Sequence, residues 1–114
     1  MVIGRGQIFW CELDPVQGHE QGAIRPVVVI SANPYNETRS PLVAIVPLTK
    51  SPPKTPVHVS LAPEESGLAM ASTALIDHAR FLDRSRLRGA PVGEVRPEAL
   101  ARLDRHLMRV LGLG

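Results

Sequence analysis

Ile24-Arg25-Pro26-Val27-Val28-Val29-Ile30-Ser31 is a run of β-branched residues with a proline near its start. Valine and isoleucine lose side-chain freedom in a helix and fit the pleated surface of a sheet, so the run predicts a strand over 24–31. Outward from it, Gln7-Ile8-Phe9-Trp10-Cys11-Glu12 and Leu42-Val43-Ala44-Ile45-Val46-Pro47-Leu48-Thr49 have the same character and are bounded by Gly, Pro, Asn and Ser. Residues 57–61 and 69–77 show the pattern less fully. Pro26 and Pro47 have no N–H to give to a ladder, so each is expected at a strand start, an edge or a bulge. Edges and bulges are also where small β domains build sites.

From Pro97 the period changes. Leu100, Leu103, Leu107, Val110 and Leu111 recur at helical spacing, Pro97 suits a first turn and Gly112 is a stop signal. One amphipathic helix over 97–111 is expected to cover the sheet. Arg102, Arg105 and Arg109 fall in its C-terminal half, where the macrodipole favours cations, so no RNA contact is assigned to them. The expected fold class is mainly β with small α, in one domain over residues 1–114.

The composition, 44% hydrophobic and 21% charged, is that of a soluble globular domain. No apolar run approaches the ~18 residues that cross a bilayer, and Met1 to Gln7 lacks the apolar core of a signal peptide, which points to the cytoplasm. Cys11 is the single cysteine and sits in an apolar strand, so it reads as a packing residue and not as a nucleophile. His58, His78 and His106 show no metal-ligand spacing with it, and no cofactor or metal is implied. Eight of the thirteen basic residues lie from Arg80 onward, all of them arginine. That suits a phosphate-bearing partner. It equally suits a solvated face, since Asp83, Glu94, Glu98 and Asp104 are interspersed.

Two connections stand out by length. Lys50 to Pro56 is proline-rich and reads as a stiff connector. Leu13 to Ala23 exceeds an ordinary hairpin turn and carries Gly18-His19-Glu20-Gln21-Gly22, followed by Arg25-Pro26. Cleaving RNA without a metal needs a base for the 2′-hydroxyl, an acid for the leaving 5′-oxygen and donors for the charged phosphorane. Those residue types are all present within this cluster, although a solvated loop with a salt bridge has the same composition. Arg25 precedes proline, which biases it to an extended backbone and helps fix the direction of its side chain.

Ile8-Phe9-Trp10 through Asp14-Pro15, then Gly18 to Ile30, resembles the N-terminal signature of the MazF/PemK (Kid-like) toxins. Tyr35-Asn36, Val46-Pro47-Leu48-Thr49, Leu75 to Asp83 leading to Arg86-Leu87, and the closing helix with Leu111-Gly112-Leu113 continue the likeness from about residue 5 to 113. The resemblance implies an SH3-like, CcdB/PemK-type compact β-barrel working as a homodimer. It implies the toxin of a type II toxin-antitoxin system, a sequence-specific, metal-independent endoribonuclease (mRNA interferase) that stops translation. Such an enzyme cuts single-stranded RNA to 2′,3′-cyclic phosphate and 5′-hydroxyl ends. A MazE-like antitoxin is implied as partner, its acidic-hydrophobic tail covering the RNA groove.

By the same correspondence the catalytic positions are Arg25, Thr49 and Asp77, and the substrate contacts are His19, Glu20, Gln21, Gly22, Pro26, His78 and Arg80. Arginine stays protonated far above neutral pH, so Arg25 is read as a clamp on phosphorane charge and Thr49 as a supporting donor. For the base the order is Asp77, Glu20, His19. Relatives that use an arginine two residues before the acid find Leu75 here, which leaves the acid and base open. Two other readings fit the fold class: a CcdB-like toxin that poisons DNA gyrase, and a nonenzymatic SH3-like adaptor for proline-rich peptides.

Overall fold

Every other strand is arranged around Leu42–Thr49, strand β3, in a computed structural model that describes residues 2–13 and 24–114. The chain runs β1 (Gln7–Glu12), β2 (Ile24–Val29), α1 (Asn33–Asn36), β3, β4 (His58–Leu61), α2 (Pro63–Ser66), β5 (Ser72–Leu75), β6 (Arg80–Asp83), β7 (Leu87–Glu94) and α3 (Pro97–Leu111). Short 3₁₀ turns occupy Ile76–His78 and Arg84–Arg86. His19, Glu20, Gln21 and Gly22 lie outside the described residues.

One edge of β3 pairs antiparallel with β2, at Val27↔Pro47, Val28↔Val46 and Val29↔Ile45. The other edge pairs first with β6, from Leu42↔Asp83 to Ile45↔Arg80, and then with β5, at Leu48↔Ala74 and Thr49↔Thr73. Both prolines fall where this scheme has gaps. Ala44 sends its carbonyl to the Ile30 N–H (2.9 Å) and its N–H to Ser31 Oγ (3.1 Å), both on the β2 side. By alternation Ile45 and Pro47 address the opposite edge. The missing N–H of Pro47 therefore lies where β3 changes partner from β6 to β5, and no ladder bond is lost. The Ile30 N–H points to β3, so by the same alternation Pro26 does too. It has no donor to continue the ladder past Val27↔Pro47, and the pairing stops there. The prolines are thus in interior strands, not at sheet edges as the sequence suggested; interrupted pairing on one side accommodates them.

The sheet order is β4-β5-β3-β2-β1-β7, with β6 also on β3. The mainly β fold with a C-terminal helix is as expected; among the described residues the terminal strands β4 and β7 do not pair with each other, so the sheet is not closed. Helix α2 stands in the opening. It follows β4 directly, and its Ser66 carbonyl comes so close to β7 that a Cβ on Gly93 would lie 2.4 Å from it. The Glu65 carbonyl accepts from the Arg96 N–H at 2.9 Å.

Both faces of the sheet are buried. Ile8, Val28, Val46 and Leu48 pack with β4, β5 and Leu103 of α3, whereas Phe9, Cys11, Val27, Val29, Val43 and Ile45 pack with Leu82 and Leu87. Alternation along β1, β2 and β3 thus feeds two cores. Helix α3 has the expected bounds, but its last turn does not cover the sheet: Val110 is 43% and Leu111 64% exposed. Arg102 is held by specific partners, forking onto Glu65 (3.0 and 3.1 Å) and reaching the Ser60 carbonyl (2.9 Å). No helix among the described residues is long and apolar enough to cross a membrane.

Arg102, and then the Ala62 N–H, hold the Glu65 carboxyl below its ordinary value of 4.5. A depressed carboxylate pKa stabilises the fold above the unfolded value, and that contribution is lost as pH falls through the folded value. The difference in unfolding free energy between the protein and Glu65→Gln, read by urea denaturation, is expected to shrink as pH drops below 4.5. A difference that stays constant through the acid range would show that the carboxylate does not tie α2 to α3.

Candidate active site

Where Pro26 ends the β2–β3 ladder, a cleft of about 530 Å³ opens, lined by Trp10, Ile24, Arg25, Pro26, Leu48, Thr49, Lys50 and residues 68–72. Each step forward on β3 is one step back on β2. Continuing the register two residues beyond Val27↔Pro47 therefore sets Arg25 level with Thr49 across the opening. Among the described residues the lining holds two cations, Arg25 and Lys50, and no carboxylate.

Arg25 is exposed and has no hydrogen bond or ion pair among the described residues. Thr49 is fixed from behind. Its Oγ1 accepts the Ser51 N–H at 3.3 Å, while the Ser51 carbonyl accepts from Thr73 Oγ1 at 2.7 Å. With its oxygen engaged in accepting, the Thr49 hydroxyl keeps its proton for a ligand. The opposite wall, residues 68–72, is braced at its start. Gly67 turns the chain out of α2 with φ +76, and the Leu68 N–H donates to Ser66 Oγ at 3.1 Å. A positive φ of this kind is open to glycine at little cost.

Arg25, Pro26 and Thr49 are thus brought together. Asp77, His78 and Arg80 are placed outside the cleft lining. Asp77 lies in the 3₁₀ turn after β5, with Oδ1 3.4 Å from His58 Nε2. His58 Nδ1 accepts the Lys54 N–H at 3.2 Å, so the neutral ring presents its proton on Nε2 to Asp77. His58 also stands cross-strand from Leu75. His78 is exposed on the same turn. The Arg80 guanidinium donates to the Leu13 carbonyl, which also accepts from Arg86 Nη1 at 2.8 Å. Two guanidiniums therefore hold the chain where β1 ends.

Beside them Cys11 is wholly buried, and burial pushes its thiol up against the opposing pull of Arg86 and Arg80. A buried thiol with a raised pKa is a packing group. Among the described residues no group of three His, Cys, Asp or Glu is arranged to hold a metal ion. Sequence reasoning missed Trp10 as a cleft residue. Phe9 and Cys11 on either side are buried in one core, and strand alternation turns the indole the other way, 44% exposed. The 68–72 wall carried no readable signal.

Chemically, the cleft offers a cation unpaired among the described residues and a hydroxyl donor between apolar walls. This suits an anionic ester such as a phosphodiester, and apolar surroundings strengthen the attraction.

Comparison with known proteins agrees over the whole chain. A family model described as the PemK-like, MazF-like toxin of type II toxin-antitoxin systems matches residues 4–111. The endoribonuclease MazF of Staphylococcus epidermidis is 37% identical over 89 residues, which cover 76% of this chain and 73% of that protein. A MazE-MazF structure from Deinococcus radiodurans superposes with TM-score 0.83 at 33% identity, covering 100% of this chain and 99% of that one. A mycobacterial endoribonuclease in complex with its cognate antitoxin superposes with TM-score 0.75 at 26% identity, covering 99% and 96%.

The double hold on Leu13 gives a stability test. Arg86→Gln is expected to cost about 1 kcal/mol, because Arg80 still serves the carbonyl, and adding Arg80→Gln should cost more than the two single losses summed. Urea denaturation of the three variants measures this; simple additivity would mean that the two guanidiniums do not share a role.

Proposed function

Because this chain belongs to the PemK-like, MazF-like toxin family of type II toxin-antitoxin systems, we propose that it acts as the toxin by cleaving single-stranded RNA, with the reacting phosphate held between Arg25 and Thr49. The observation that supports the site is a guanidinium level with a hydroxyl donor, in a cleft where, among the described residues, the guanidinium has no partner and the lining has no carboxylate. The ribose 2′-oxygen attacks phosphorus and loses its proton to a base. The bond to the 5′-oxygen breaks as that oxygen takes a proton, leaving a 2′,3′-cyclic phosphate and a 5′-hydroxyl. No metal is required if fixed donors neutralise the phosphorane. Arg25 binds two non-bridging oxygens through its planar fork, and Thr49 donates to one of them.

The proton acceptor is proposed among Asp77, Glu20 and His19. The base must reach the 2′-hydroxyl beside the phosphate held by Arg25, and Asp77 lies outside the cleft lining, so it would act there through an intervening water. Pro26 shapes the floor. His19, Glu20, Gln21, Gly22, His78 and Arg80 remain proposed substrate contacts, Arg80 while also serving Leu13. An endoribonuclease relative and the free cation favour this reading over a gyrase poison or a proline-peptide adaptor. The proposal places the enzyme in the cytoplasm, where cutting mRNA stops translation.

Incubation with mixed-sequence RNA in excess EDTA is expected to give discrete fragments with cyclic phosphate ends. Arg25→Ala should lower kcat/KM by about a hundredfold or more, and Thr49→Val by about tenfold. Among the described residues Arg25 has no partner to lose, so its variant should keep the melting temperature, which separates catalysis from folding. Undiminished cutting by Arg25→Ala would sink the site.

A MazE-like antitoxin whose acidic-hydrophobic tail covers Arg25 completes the proposal, with two copies of the toxin in the complex. Titrating the antitoxin should abolish cleavage, and light scattering should weigh a toxin dimer within the complex. A stable complex that still cuts at full rate would refute occlusion.

A further inference from the structure

The phosphate chemistry uses only part of the cleft. Most of its lining is apolar, and it includes three large side chains that solvent reaches freely: Trp10 at 44%, Ile24 at 54% and Met70 at 59% exposure. Large apolar groups scattered singly need no explanation, but three converging on one concave site beside the Arg25 guanidinium mark a binding surface.

Trp10 is also rigidly presented. Its chain neighbours Phe9 and Cys11 are both wholly buried, and its backbone pairs with Pro26 on one side and Arg88 on the other. The indole thus rises from the interior of the sheet, where its direction is set before any ligand arrives. Leu68 to Ala71 face the same cleft from a segment braced by Gly67 and Ser66.

We propose that Trp10 is a stacking platform for one unpaired nucleobase of the RNA, adjoining the phosphate held by Arg25, and that Met70 borders the same base. The proposal rests on the nuclease reading of the cleft and specifies what occupies its apolar part. A base has two apolar faces and is tethered to the anion that Arg25 and Lys50 attract, so one ligand accounts for both halves of the lining. Stacking on an aromatic ring is tolerant of base identity, because every base has a π-face. Side-chain polar groups in the lining are few, so this subsite selects single strands over duplex without reading sequence. Base discrimination then belongs to other contacts.

Trp10 is the only tryptophan, so its intrinsic fluorescence reports the proposed contact directly. An oligoribonucleotide methylated at every 2′-oxygen has no nucleophile and serves as an uncut probe. It should quench the indole saturably, whereas the same sequence in a duplex should not. An abasic residue at one position next to the target phosphate should remove most of the quenching while the oligonucleotide still competes for binding.

With cleavable RNA, Trp10→Ala should raise KM about tenfold with kcat unchanged and by the same factor on different sequences, and Trp10→Phe should restore most of the affinity. Unchanged KM in Trp10→Ala that still cuts, or quenching that survives every abasic position, overturns the platform while leaving the nuclease intact. Quenching by an acidic, apolar peptide but not by RNA overturns it in favour of a protein occupant. Absence of any cleavage by the unaltered protein would instead overturn the nuclease reading, and the quenching measurement would still decide the platform.

Discussion

A backbone N–H that does not exist organises this molecule. Buried peptide groups must be paired, so a proline inside a sheet is tolerated only where the ladder has no bond to make. Pro47 lies where β3 exchanges β6 for β5 on one edge. Pro26 lies one residue before the β2–β3 pairing begins. The first arrangement lets a single strand serve two differently directed sheet portions, with a core on either side. The second ends pairing between two central strands while both continue, and the space between their ends becomes the cleft. Fold and site therefore share one cause.

The arginines show how far total charge can mislead. The basic C-terminal third suggested a phosphate-binding face, yet several of its guanidiniums have protein partners. Arg80 and Arg86 hold the Leu13 carbonyl, Arg88 pairs with Glu12, and Arg102 forks onto Glu65. A cation already neutralised by a neighbour contributes little field at a distance. Arg25 and Lys50 are fewer, but among the described residues they face a cleft without carboxylates, where apolar walls reduce screening. Location, and not number, decides which charges can act on a phosphate.

This contrast also marks what could be read from sequence. The bounds of β1, β3 and α3 were legible because each has a sustained period and a clear stop, Gly112 adopting the left-handed conformation that ends α3. Arg25, Pro26 and Thr49, which line one cleft, were singled out through the family resemblance and not through periodicity. β6 has only four residues, and β7 carries Gly89, Pro91 and Gly93, so neither shows a usable alternation. Between Ile8↔Gly93 and Trp10↔Arg88 the chain advances two residues on β1 and five on β7, an irregularity that no periodicity announces. The fold class was legible, but the open side of the sheet was not: α2 is too short to predict, and it lies between β4 and β7. Contacts such as Arg86 to Leu13 span 73 positions and exist only once the chain is folded.

The same distinction bears on Asp77. Position 75, two residues earlier, holds leucine where some relatives have arginine, which by sequence alone leaves the carboxylate without a cationic or donor neighbour. Across the β4–β5 ladder from Leu75 stands His58, and its Nε2 approaches Asp77 Oδ1 while Nδ1 is engaged by the Lys54 N–H. A donor to the carboxylate is thus supplied by the adjacent strand. The imidazole thus borders Asp77 on the side away from Lys54. The same hydrogen bond pins the proline-rich connector that leads away from Thr49. The geometry of the proposed base and the far end of that connector therefore depend on one ring.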